Sequence, residues 1–231
     1  VSVFDYDKNK TYRILITQGR SLLMYDKNGT RVTGFNYKSN SKNISSQPKH
    51  FSINNKDYIV FKRGNAIAIL NRKGQQRIQV KDPLNLSEND IYLYNNQFIT
   101  TSANGELLQV NAKGKTTSID LNLSSSHNIT ATSKTLVSLH ENKLTIRSKT
   151  IELDFGEYTE PKIFYLNDKI YVTVTDLQSK KAYLFDSQAK PIANFPVFAN
   201  SLIDMNNIDR DRALEVVTTD GEDSIIVYEI H

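Results

Sequence analysis

The chain has 231 residues, 39% of them hydrophobic, 23% charged and 10% aromatic, with a net charge of +4 and a mean hydropathy of −0.46. No run approaches the ~18 apolar residues of a membrane span, and the absence of cysteine excludes disulfides and thiolate metal sites. Lysines and arginines stand singly in turns (Lys8, Lys10, Lys27, Lys73, Lys113, Lys149, Lys190), without the basic stripe and interleaved aromatics of a nucleic-acid surface, so no nucleic-acid partner is expected.

Alternating apolar residues begin at once with Val1-Ser2-Val3-Phe4, without Met or a signal peptide, and the chain is therefore expected to be a trimmed part of a longer one. A polar turn leads to Tyr12-Arg13-Ile14-Leu15-Ile16 and then to Leu22-Leu23-Met24-Tyr25-Asp26-Lys27-Asn28-Gly29, an apolar strand ending on a polar residue and a glycine turn. This cassette returns at Ile67 to Gln75 and at Leu107 to Lys115, and more weakly at Leu144 to Lys149, Ala182 to Lys190 and Ile225 to Glu229. Anchored on Tyr25, Leu70, Val110, Ile146, Phe185 and Tyr228, the spacings are 45, 40, 36, 39 and 43 residues. A period of about 40 with room for four short strands is that of a β-propeller blade.

The predicted fold is all-β, a six-bladed β-propeller of four-stranded antiparallel blades. Five or seven blades, or a β-sandwich, are the alternatives. One domain, 1–231, is divided into blades at about 1–40, 41–82, 83–122, 123–156, 157–198 and 199–231. Lys38 to Gln47 reads as a mobile polar loop, and Phe195-Pro196 places proline in an edge strand. The last blade has only three strands. A segment before Val1 is expected to complete it, unless the outer strand is simply missing.

Asn207-Ile208-Asp209-Arg210-Asp211-Arg212-Ala213-Leu214-Glu215 sets oxygen-bearing side chains at alternate positions, a spacing that wraps a hard cation, with calcium the obvious one. Together with Asn194-Phe195-Pro196-Val197 and Leu214-Glu215-Val216-Val217, this loop resembles the FG-GAP repeats, and the strand-turn units at Gly74 and Gly114 are similar to PQQ-like bacterial envelope propellers. The FG-GAP resemblance implies side-chain metal ligands at Asn207, Asp209, Asp211 and Glu215 and a backbone ligand at Ala213. Arg212 departs from the pattern, standing where it has glycine. In the first blade Asp5, Asp7 and Asn9 match it, but Lys10 and Arg13 replace the glycine and the last acid. Arg13 is expected to serve that loop as an internal cation.

His50, His127, His140 and His231 each read as isolated, and no nucleophile elbow, phosphate loop or metalloprotease motif occurs. Glu157 with Glu160, or Asp220, Glu222 and Asp223, are groups that suggest acid and base for glycoside cleavage, but turn carboxylates are mostly solvated. Absence of tryptophan counts against a quinone-dependent dehydrogenase. Aromatic groups at Tyr92, Tyr94 and Phe98 and at Tyr158, Phe164, Tyr165 and Tyr171 read as core before binding face.

The expected function is therefore non-catalytic: a scaffold binding a protein or glycan ligand at its rim, in a larger bacterial envelope or secreted protein, with calcium as the one possible cofactor. A polysaccharide hydrolase or lyase using the central channel is the alternative.

Overall fold

The computed structural model describes residues 1–221 and 223–230. Its described residues form 23 strands in six antiparallel sheets, and none of them forms a helix long and apolar enough to cross a membrane. Contacts group the chain into two compact units, Val1–Asn122 and Leu123–His231.

In the first unit, β1 (Ser2–Phe4), β2 (Arg13–Gln18), β3 (Ser21–Asp26) and β4 (Tyr37–Lys38) form one sheet in chain order. The strands β5 (Lys49–Ile53), β6 (Lys56–Arg63), β7 (Ala66–Leu70) and β8 (Gln76–Ile78) form the second. The third comprises β9 (Tyr92–Tyr94), β10 (Gln97–Thr101), β11 (Glu106–Val110) and β12 (Thr116–Asp120).

The second unit repeats this plan with β13 (His127–Ala131), β14 (Leu136–His140), β15 (Lys143–Ile146) and β16 (Lys149–Glu152). Its next sheet is β17 (Lys162–Leu166), β18 (Lys169–Asp176), β19 (Lys181–Asp186) and β20 (Val197–Phe198). The last has three strands, β21 (Asp204–Asn206), β22 (Leu214–Thr219) and β23 (Ile225–Ile230). These six sheets are the blades of a β-propeller.

Alternation explains the packing, because successive side chains of a strand leave on opposite faces. Along β6, Ile59 and Phe61 join Phe4, Leu15, Leu22 and Met24 of the first blade, whereas Tyr58 and Val60 join Phe98, Leu108 and Val110 of the third. In the second unit β18 divides likewise. Tyr171 packs with Leu214 and Val216, while Val172 and Val174 pack with Val137 and Leu139.

The polar residue that closes each of the three strong cassettes, and that of the weaker Ala182–Lys190 copy, makes its turn. Asp26 Oδ1 accepts the amides of Asn28 and Thr30, Asn71 Oδ1 those of Lys73 and Gln75, Asn111 Oδ1 those of Lys113 and Lys115, and Asp186 Oδ1 those of Gln188 and Lys190. Such Asx turns let a short side chain stand in for a backbone carbonyl.

A second recurring device went unread in the sequence. Just before the first strand of a blade, a Ser or Thr hydroxyl accepts the amide of a residue at the end of the second strand: Ser46 from Lys62 at 2.8 Å, Thr159 from Thr175 at 3.0 Å and Ser201 from Thr219 at 3.2 Å. Backbone bonds from Ser45, Thr159 and Asn200 to the carbonyls of Lys62, Thr175 and Thr219 complete the clamp. The loop from Lys38 to Gln47 is tied down in this way, with Ser39 3% exposed and the Ile44 amide on the Gly19 carbonyl.

Candidate functional site

The turn after β1, the β5–β6 hairpin and the turn after β7 enclose a cleft of about 520 Å³. Its wall is a chain of hydrogen-bonded charged and polar side chains. Arg72 donates from Nη2 to Asp7 Oδ1 at 2.7 Å and from Nε to Asp57 Oδ2 at 2.6 Å, and Asp57 Oδ1 meets His50 Nε2 at 2.6 Å. Asp57 is 8% exposed, so both of its oxygens are satisfied in a largely dry setting. The expectation that His50 is isolated is corrected here: His50 and Asp57 are seven residues apart, and antiparallel pairing of β5 with β6 folds one back on the other.

Tyr6 supplies the cleft's aromatic surface. The Arg72 guanidinium lies 4.7 Å from its ring centroid, and the His50 ring meets it edge-on at 4.8 Å. The Tyr6 hydroxyl is buried without a hydrogen-bond partner. Burial pushes this phenol well above its usual range, although the nearby Arg72 charge works the other way. The Asp7 hydrogen bond chiefly holds the Arg72 guanidinium in its charged form. Ser52, Asn55, Asp5 and Lys8 complete the lining.

The fifth blade contains the same hairpin with different contents. Lys49-His50-Phe51-Ser52-Ile53-Asn54-Asn55-Lys56-Asp57-Tyr58 aligns with Lys162-Ile163-Phe164-Tyr165-Leu166-Asn167-Asp168-Lys169-Ile170-Tyr171, and the ladders agree, Ile53 opposite Lys56 and Leu166 opposite Lys169. His50 thus corresponds to Ile163 and Asp57 to Ile170. By cassette position Arg72 corresponds to Ser187. Two isoleucines and a serine therefore fill the places of the charged network in a blade of the same geometry.

The acidic loop lies between β21 and β22. Carboxylate oxygens of Asp209, Asp211 and Glu215 stand within 4.8 Å of one another, Glu215 buried and the two aspartates exposed. Asn207 and Ala213 are engaged with each other, Asn207 Nδ2 donating to the Ala213 carbonyl at 3.3 Å and to the Asp211 carbonyl at 2.8 Å. Backbone amides of Ile208, Asp211 and Ala213 donate to Glu215, Asp209 and Asp211. The carboxylates fit a hard cation. Asn207 fits only if its amide turns to present oxygen, which also frees the Ala213 carbonyl. The positive φ of this loop falls at Arg210, +69°, and not at Arg212, which stands where the repeat pattern has glycine.

In the first-blade loop, Asp5 accepts the amides of Asn9 and Lys10, and the Asn9 side chain accepts that of Thr11. Arg13 does not serve as its internal cation. Its guanidinium donates to the Tyr12 carbonyl, and Arg72 of the second blade reaches Asp7 instead.

The remaining sequence-derived candidates do not converge. Glu157, Glu160, Asp220 and Asp223 are exposed, while Glu222 and His231 lie outside the described residues. Phe98, Phe164 and Tyr171 are core residues at 0%, 8% and 8% exposure, but Tyr165 is 64% exposed and donates to Asp168.

No family model and no curated protein sequence matches this chain. Solved structures do. Sqt1 from Saccharomyces cerevisiae superposes with a TM-score of 0.64 at 16% identity, covering 96% of this chain and 69% of its own. Virginiamycin B lyase from Staphylococcus aureus gives 0.62 at 13%, covering 98% and 82%. BBS1N, solved in complex with ARL6DN, gives 0.61 at 13%, covering 99% and 78%. These are propeller structures, and at such identities the likeness is one of fold.

Proposed function

We propose that this chain is a non-catalytic binding propeller that recognises a protein partner through the Tyr6–Asp7–His50–Asp57–Arg72 cleft. One observation carries the reading. Ile163, Ile170 and Ser187 occupy the equivalent places in the fifth blade, so blade geometry does not require the charged set. A rigid wall of mutually paired charges beside an aromatic ring suits recognition, because its geometry is fixed before the partner arrives. Acid–base cleavage fits less well, since Asp57 Oδ1 and His50 Nε2 are already committed to each other and Asp57 Oδ2 to Arg72 Nε. Among structures of like fold, BBS1N was solved with a protein bound, and virginiamycin B lyase is named for a lyase.

We place the chain in a bacterial envelope or secreted protein, of FG-GAP-like or PQQ-like repeats, on the strength of the cassette glycines and the acidic loop. Calcium held by Asp209, Asp211 and Glu215 would pin the β21–β22 loop.

The test is capture from a bacterial envelope extract, comparing the wild type with a His50→Ile, Asp57→Ile, Arg72→Ser variant of unchanged fold. A partner held by the wild type and lost by the variant is the expected result. Identical partners, or polysaccharide depolymerised by the wild type and not by the variant, would overturn the proposal.

A further inference from the structure

We propose that a second, smaller cavity, bounded by Tyr37 of β4 and by the β7–β8 hairpin, binds one small monovalent anion. It measures about 120 Å³ and is separate from the cleft described above. Two polar atoms in its lining, Tyr37 Oη and Arg63 Nε, are buried and have no hydrogen-bond partner. Arg63 forms no ion pair among the described residues. Gln76 and Gln79 also line the cavity, and aliphatic side chains of β7 and the β8 segment supply the rest.

The chemistry selects the occupant. A guanidinium N–H can only donate, and a phenol hydroxyl donates readily, so the group that satisfies both must accept. Buried donors on a cation favour an anionic acceptor over a neutral one, because charge-assisted hydrogen bonds are the stronger kind. Size agrees. The cavity exceeds the ~30 Å³ share of one water and falls short of the ~300 Å³ of a typical small-molecule site. A halide or a small carboxylate, with attendant water, fills it. Because the lining comes from both the first and second blades, the bound anion adds to the stability of their junction.

Thermal melts in sodium bromide and sodium acetate, against sodium fluoride at equal ionic strength, test this directly, fluoride being the most strongly hydrated of the three. Expected is a rise in Tm of about 2–4 °C in bromide or acetate once the anion is several-fold above its Kd. Tyr37→Phe keeps the edge-on packing of this ring on Phe61 at 5.2 Å and removes only the hydroxyl, and it should reduce the rise. Arg63→Met should abolish it. If Arg63→Met fails to fold, anomalous diffraction from a bromide-soaked wild-type crystal decides. A bromide peak between Tyr37 and Arg63 supports the site. Equal melts in all three salts, or water alone at that place, overturn it.

Discussion

Gly114 lies so close to Gln79 that a Cβ on it would stand 2.1 Å from the Gln79 carbonyl oxygen. Gly74 stands in the same relation to Asn36, at 2.7 Å, whereas a Cβ on Gly29 would meet nothing within 4 Å. All three adopt positive φ in the same cassette turn, so their turn chemistry is equal and their packing is not. Gly29→Ala should therefore show the left-handed backbone cost alone, about 1–2 kcal/mol. Gly114→Ala adds a backbone clash and should lose roughly 1–3 kcal/mol more. Denaturant melts of the two variants measure the difference. Equal losses would show that the approach of Gly114 to Gln79 relaxes without cost.

The strand plan was legible because it is local. Alternation, the cassette and its period are visible within a few residues, and five four-stranded blades and one three-stranded blade follow from them. The charged cleft was not legible in that way. Asp7 and Arg72 are 65 residues apart and meet only when the first blade packs on the second. His50 and Asp57 are nearer, but their contact requires the hairpin register. A signal did exist: aligning the second blade with the fifth shows His50, Asp57 and Arg72 against Ile163, Ile170 and Ser187. The same comparison of blades would have exposed the Ser46, Thr159 and Ser201 clamp.

Removing one member of the charged chain should cost more than replacing its core. Arg72→Ala leaves Asp57, 8% exposed, with His50 as its remaining side-chain partner. A loss toward the low end of about 1–3 kcal/mol is expected, because Arg72 itself is 41% exposed and partly screened. The triple replacement with Ile, Ile and Ser brings in a set the fifth blade already packs, and should stay within about 1 kcal/mol of the wild type. Urea melts compare them. A triple variant less stable than Arg72→Ala would mean that the network is structural, and would remove the main support for the cleft as a recognition site.

Asp176 should shape the acid limb of stability. It is 1% exposed, accepts the amides of Glu157 at 3.1 Å and Gln178 at 3.0 Å, and accepts the Ser179 hydroxyl. Burial raises its pKa, but the Ser179 hydroxyl and the surrounding amides outweigh burial and hold the carboxyl below its usual range. A carboxyl with a depressed folded pKa adds stability that is present above its unfolded value of about 3.9 and is lost as pH falls through the folded value. Wild-type stability should therefore fall more steeply than that of Asp176→Asn below about pH 4. At pH 7 the variant should be less stable by about 1–3 kcal/mol, since its amide group must face donors. Parallel acid limbs would show that Asp176 is not ionised in the fold.

Calcium should stabilise the second unit through the β21–β22 loop. Three carboxylate oxygens within 4.8 Å repel one another, and the amides of Ile208, Asp211 and Ala213 offset only part of that repulsion. A divalent cation relieves the rest, and a ligand bound only by the folded chain raises Tm by mass action. Millimolar calcium after EDTA treatment should raise Tm by about 2–4 °C. Magnesium should do less, because it demands near-octahedral geometry and keeps its water, whereas calcium tolerates an irregular set of oxygens. Asp209→Ala should remove the response while changing the metal-free Tm little, as Asp209 is exposed and its carboxylate accepts the Asp211 amide within the same exposed loop. Identical melts in calcium and EDTA would mean that the hydrogen bond from Asn207 to the Ala213 carbonyl already closes the loop, and that the loop stands without a cation.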